Sequence, residues 1–99
     1  MTNVEIAKII LSQLGGNRLS VMTGAKSFVA VESGLQFRIP KAQKGINSVR
    51  VTLTPADDYT VEFFAIRGTN FKQVAVVEGI YCDQLQKVFT EHTGLYTSL

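Results

Sequence analysis

The chain has 99 residues, a formal net charge of +2 with histidine neutral, 45% hydrophobic and 18% charged residues, and a single cysteine. That length holds one core and one domain, residues 1–99, and the composition is that of a globular chain rather than a disordered one. A lone cysteine excludes an intrachain disulfide and a multi-cysteine zinc site, and no leader or apolar run near the ~20 residues of a membrane span is visible, so a soluble cytoplasmic protein is expected.

Thr2 and Glu5 have capping-box spacing ahead of an apolar run, which predicts a helix over Asn3–Leu14. Its stripe, Val4, Ile6, Ala7, Ile9, Ile10, Leu11 and Leu14, is broad enough to predict burial over most of the circumference, and Gly15-Gly16-Asn17 closes it. Leu19–Thr23 and Phe28–Glu32, rich in β-branched or bulky residues, read as strands on either side of Gly24-Ala25-Lys26. Ser33-Gly34 reads as a two-residue connection to a strand over Leu35–Ile39, which Pro40 ends; Lys41–Gly45 reads as an exposed basic loop.

Ile46–Gly68 carries the clearest pattern. Val49, Val51 and Leu53 alternate with polar residues, and so do Tyr59, Val61 and Phe63 after the turn Pro55-Ala56-Asp57-Asp58. Period two with turn chemistry between the halves predicts a hairpin with one apolar face. A last strand follows over Phe71–Val77, its faces ambiguous because both parities are apolar near its end. A second helix, starting near Tyr81 or Asp83 and reaching Thr93, places Leu85, Val88, Phe89 and His92 on one face, and Gly94 stops it. The expected fold is α+β: a five- or six-stranded, mostly antiparallel meander sheet with the N-terminal and C-terminal helices packed on one face.

The runs ILSQLGGNRLSVMTGAKSFV (Ile10–Val29), GLQFRIP (Gly34–Pro40), INSVRVTLTPADDYTVEF (Ile46–Phe63) and YCDQLQKVFTEHTGLY (Tyr81–Tyr96) resemble small proteins encoded in phage and prophage genomes. No activity or site residue comes with that resemblance. What it implies is context, an accessory protein working in a bacterial cytoplasm.

Motifs for chemistry are weak. Gly24-Ala25-Lys26-Ser27 lacks the glycine before lysine and the glycine five residues earlier that a phosphate-binding loop needs, so it reads as a turn. Cys82 and His92 are ten positions apart, roughly 15 Å along a helix, too far to act as a pair; Cys82 reads as a packing residue and His92 as a helix C-terminal residue. Asp57 and Asp58 read as turn acceptors, and no Ser-His-Asp spacing is visible. A non-enzymatic protein without a cofactor or metal is expected.

The remaining constellation is basic. Arg38, Lys41, Lys44 and Arg50 follow one another without an intervening acid, and Arg38 and Arg50 point to the sheet face opposite the core. Phe64 breaks the polar alternation on that outer face, with Ile66 at the same parity. The first expectation is a non-enzymatic phage-type accessory protein that binds a bacterial host macromolecule, such as a regulatory or defence component, through this face, with a protein interface centred on Phe64 and Ile66. The alternative is a nucleic-acid module in which the cations hold phosphate and an exposed Phe64 stacks a base. A third is a self-associating virion component whose apolar outer spot is covered by an identical subunit.

Overall fold

The capping box closes as its spacing predicts. In the computed structural model, which describes residues 2–40 and 42–95, the Glu5 amide donates to Thr2 Oγ1 and the Thr2 amide to Glu5 Oε1, both at 3.1 Å. Helix α1 (Asn3–Gln13) buries Ile6, Ala7 and Ile10, and Leu14 follows at its cap. The stripe is narrower than expected: Val4 and Ile9 remain exposed, because α1 lies on the sheet with one side to water.

Leu19–Thr23 is not a strand but part of a second helix, α2 (Asn17–Thr23). Leu19 and Thr23, four residues apart, are buried while Val21 is 82% exposed, the opposite of strand alternation. Thr23 Oγ1 donates back to the Leu19 carbonyl, and Gly24, at φ +74°, caps the helix in the left-handed conformation. The sheet therefore has five strands rather than six, in the order β1 (Lys26–Val31), β2 (Gly34–Arg38), β3 (Ser48–Leu53), β4 (Tyr59–Arg67), β5 (Asn70–Ile80), all antiparallel neighbours. A 3-10 turn (Cys82–Gln84) leads to helix α3 (Leu85–Thr93).

Register places the core as the alternation predicts. Phe37 faces Val49, Val49 faces Phe63, and Val51 lies between Leu35 and Val61; these side chains share the inner face and are almost wholly buried. Both long helices cover that face. The Phe37 ring packs between Phe28 (5.4 Å between centroids) and Phe89 of α3 (6.1 Å), and His92 stacks on Phe63 at 4.8 Å. Burying each of Phe37, Phe63 and Phe89 contributes about 2 kcal/mol. The His92 Nδ1 lies 3.0 Å from the Val88 carbonyl oxygen, which can only accept, so that nitrogen carries the proton.

Two local departures matter for the outer face. The β1–β2 turn is Glu32-Ser33, with Ser33 at φ +55°, and Gly34 already belongs to β2. A β-carbon on Gly34 would run into the Val51 carbonyl oxygen, so the close approach of β2 to β3 requires glycine there. In β5, Ala75 pairs with Phe63 but Gln73 with Phe64, so Val74 is an extra residue. This bulge turns Val74, Ala75 and Val77 toward the core and leaves Val76 outside, which settles the ambiguous parity. Among the described residues no helix is long and apolar enough to cross a membrane.

Candidate functional site

A meander sends alternate turns to opposite ends of the sheet. The β1–β2 and β3–β4 turns share one end; β1 and β5 begin, and β2 and β4 finish, at the other. Charge follows this division. Glu32, Asp57 and Asp58 lie in the turns of the first end, while Lys26, Arg38, Lys44, Arg67 and Lys72 gather at the second.

The second end is indented. A cleft of about 500 Å³ is lined by Gly24, Lys26, Ser27, Arg38, Pro40 and Arg67, among others. Beside it lies a smaller cleft of about 300 Å³, lined by Lys44, Gly45, Ala65, Arg67, Asn70 and Lys72. Gly45 and Arg67 line both, so the two adjoin, and among the described residues no carboxylate lines either. Among the described residues the one ion pair is Lys87–Glu91, at 4.0 Å on the surface of α3, and none of the five cleft cations hydrogen-bonds another described side chain or carbonyl.

Asn47 builds the wall between β3 and β4. Its Nδ2 donates to the Ile66 carbonyl at 2.8 Å and its Oδ1 accepts from the Ile66 amide at 2.9 Å, so one side chain makes both bonds of a ladder rung. This fixes the backbone next to Arg67. The Asn47 amide donates to the Phe64 carbonyl at 2.9 Å, continuing the ladder. Of the four non-glycine described residues at positive φ, Ser27 (+59°) and Lys44 (+58°) lie here, and Ser33 (+55°) and Asp57 (+64°) in the turns of the other end; the conformation costs such residues of order 1 kcal/mol.

The residues singled out from sequence fall in different places. Arg38 lines the larger cleft and Lys44 the smaller. Lys41 lies outside the described residues. Arg50 is on the outer face but away from the clefts: its Nε and Nη2 donate to Gln36 Oε1 at 3.2 and 3.1 Å, and its guanidinium sits 5.4 Å from the centre of the Phe64 ring. Phe64 itself is not exposed. It is on the outer face, yet only 4% of it reaches solvent, because Arg50 lies over one part and Phe71 from β5 covers another, with ring centroids 4.6 Å apart. Ile66 is half-buried. The aromatic exposed on this face is Phe71, at 54%; Tyr81, at 59%, lies past the end of β5.

Sequence reading missed Lys26 because Glu32 interrupts the acid-free run before Arg38, and Arg67 and Lys72 because they are far from Arg38 along the chain and meet it only through the meander. Counting strand reversals would have found them. Cys82, expected to pack, is exposed, and among the described residues no three His, Cys, Asp or Glu side chains are placed to share a metal ion. Compared with protein-family models, with curated proteins and with solved structures, the chain finds no match.

Proposed function

We propose that this is a non-enzymatic accessory protein, of the kind its phage-like sequence runs suggest, whose working surface is the basic end of the sheet and whose ligand is nucleic acid. The observation that carries this reading is the pair of adjoining clefts lined by Lys26, Arg38, Lys44, Arg67 and Lys72 with no carboxylate and no ion pair among the described residues. A phosphate backbone supplies a row of negative charges at regular spacing, and cations held ready along a groove gain affinity by releasing its counterions. The overall charge of +2 does not speak against this, since among the described residues no acid lines the clefts and Glu32, Asp57 and Asp58 sit in the turns of the other end.

A second reading, docking of a host protein on the outer sheet face, draws on three exposed apolar residues there, Val29, Phe71 and Val76. The register weakens it. Val29, Gln36, Arg50, Glu62 and Val76 form one row across the strands, so a polar belt separates the two valines. Val29 and Val76 therefore do not join into one apolar patch, and Phe71 adjoins the half-buried Ile66 and the buried Phe64.

The test is binding of labelled single- and double-stranded DNA and RNA across a salt series, with light scattering to fix the oligomeric state. Nucleic-acid binding is expected to weaken steeply with salt, and alanine at Arg38, Arg67 or Lys72 is expected to lower the salt slope by about 0.7 to 0.9 for each phosphate no longer held. Failure to bind any nucleic acid at low salt overturns the reading. Salt-tolerant binding of a host protein, abolished by substitution of Phe71, would support the second one, and a stable oligomer that hides Phe71 would support self-association.

A further inference from the structure

Nucleic acid presents itself to a protein either as a duplex or as a single strand. On the nucleic-acid reading above, we infer that Phe71 is a base-stacking platform and that the ligand is therefore a single strand. Phe71 stands on the outer face of β5, opposite Ile66 of β4, and is 54% exposed. Its chain neighbours Asn70 and Lys72 line the smaller cleft, and Arg67, which lines both clefts, is paired with Asn70. Successive residues of a strand face opposite sides of the sheet, so Asn70, Lys72 and Arg67 project to the other side from Phe71; the cations on Phe71's own side are Arg38, which lines the larger cleft, and Arg50, whose guanidinium lies on Phe64 as the Phe71 ring does.

The ring is also held. It leans at 43° against Phe64, which is wedged in place beneath it, and Phe64 in turn lies under the Arg50 guanidinium that Gln36 fixes. A side chain already packed on one side loses little rotational freedom when a base lands on the other. The buried Phe64 is thus the support and Phe71 the contact. In a duplex each base already has both faces stacked, so a lone aromatic ring beside cations is useful only to unstacked bases, and stacking of this kind is sequence-tolerant because every base has a π-face.

The chain contains no tryptophan, so Phe71→Trp introduces a single reporter at the site. Titration with oligo(dT) in low salt is expected to quench its emission, Phe71→Leu and Phe71→Ala are expected to bind that oligonucleotide about tenfold more weakly with an unchanged salt slope, and a duplex of equal length is expected to bind less tightly than the single strand. The leucine variant keeps apolar bulk at a half-exposed position, and its melting curve establishes that it is folded. If Phe71→Leu binds as the unaltered protein does, and the introduced indole is not quenched at saturation while salt-sensitive binding persists, the stacking inference is overturned and the nucleic-acid reading survives. Absence of salt-sensitive binding to any nucleic acid overturns both.

Discussion

The β3–β4 turn and the β2–β3 connection lie at opposite ends of one sheet and use polar groups differently. In the turn, the Thr54 amide donates to the Asp58 carbonyl at 2.9 Å, the Thr54 hydroxyl donates to the Asp58 carboxylate, and the Ala56 amide donates to Thr54 Oγ1 at 3.2 Å. At the same end the Ser33 amide donates to Asn3 Oδ1 at 3.0 Å, tying the start of α1 to the β1–β2 turn. At the other end Asn47, Thr23 and Ser48 bond to the backbone in this way, but the surrounding cations hold nothing among the described residues. Asp58 at one end is part of the fold's wiring, whereas the cations at the other are available to something outside it. Substitutions at the two ends should therefore separate stability from binding.

The largest effect is expected at Gly34, where the strands approach most closely. Gly34→Ala forces a methyl group against the Val51 carbonyl and should cost about 3 kcal/mol in chemical denaturation, the upper range for overpacking. Asn47→Ala removes both bonds to Ile66 and should cost about 2 kcal/mol. Because it loosens the strand end that carries Arg67, nucleic-acid affinity should fall with it. Thr54→Val, at the acidic end, should cost about 1 kcal/mol and leave binding unchanged, since it disturbs only the turn.

Alanine at Arg38, Arg67 or Lys72 reverses that pattern. Each should change stability by no more than about 0.5 kcal/mol while weakening binding and its salt dependence. Equal stability losses at the two ends would dissolve the distinction between them. The smallest effect concerns Glu5. Its carboxyl is held below the ordinary value of 4.5, first by its bond to the Thr2 backbone and then by the Thr2 side chain. A depressed carboxylate supports the native state above its unfolded pKa, so this contribution should be present above pH 4.5 and disappear as pH falls below it. Glu5→Gln, which keeps the capping bond without the charge, should remove that pH dependence in acid titrations of thermal stability.

Much of the architecture was legible because it rests on short-range rules. Thr2 and Glu5 announce α1, and the alternation of Val49, Val51, Tyr59, Val61 and Phe63 fixes both the central hairpin and the face that the helices cover. Leu19–Thr23 misled because β-branched composition suggested a strand, while the i, i+4 pair Leu19 and Thr23 followed by Gly24 carried the helical signal. Phe64 misled for a longer-range reason. Its parity correctly put it on the outer face, but its cover comes from Phe71 on one neighbouring strand and from Arg50 on the other, which no local pattern reveals. Arg38 and Lys44 stood out as acid-free sequence; Lys26, Arg67 and Lys72 joined them only through topology.

The measurement that bears most directly on the division between the two ends is the salt dependence of single-stranded DNA binding by the unaltered protein and by Arg38→Ala/Arg67→Ala/Lys72→Ala. With three phosphates no longer held, the slope of log affinity against log salt should fall by about 2, with the melting temperature nearly unchanged. An unaltered slope, or a protein that binds no nucleic acid at low salt, would contradict the assignment of the basic end as the working surface.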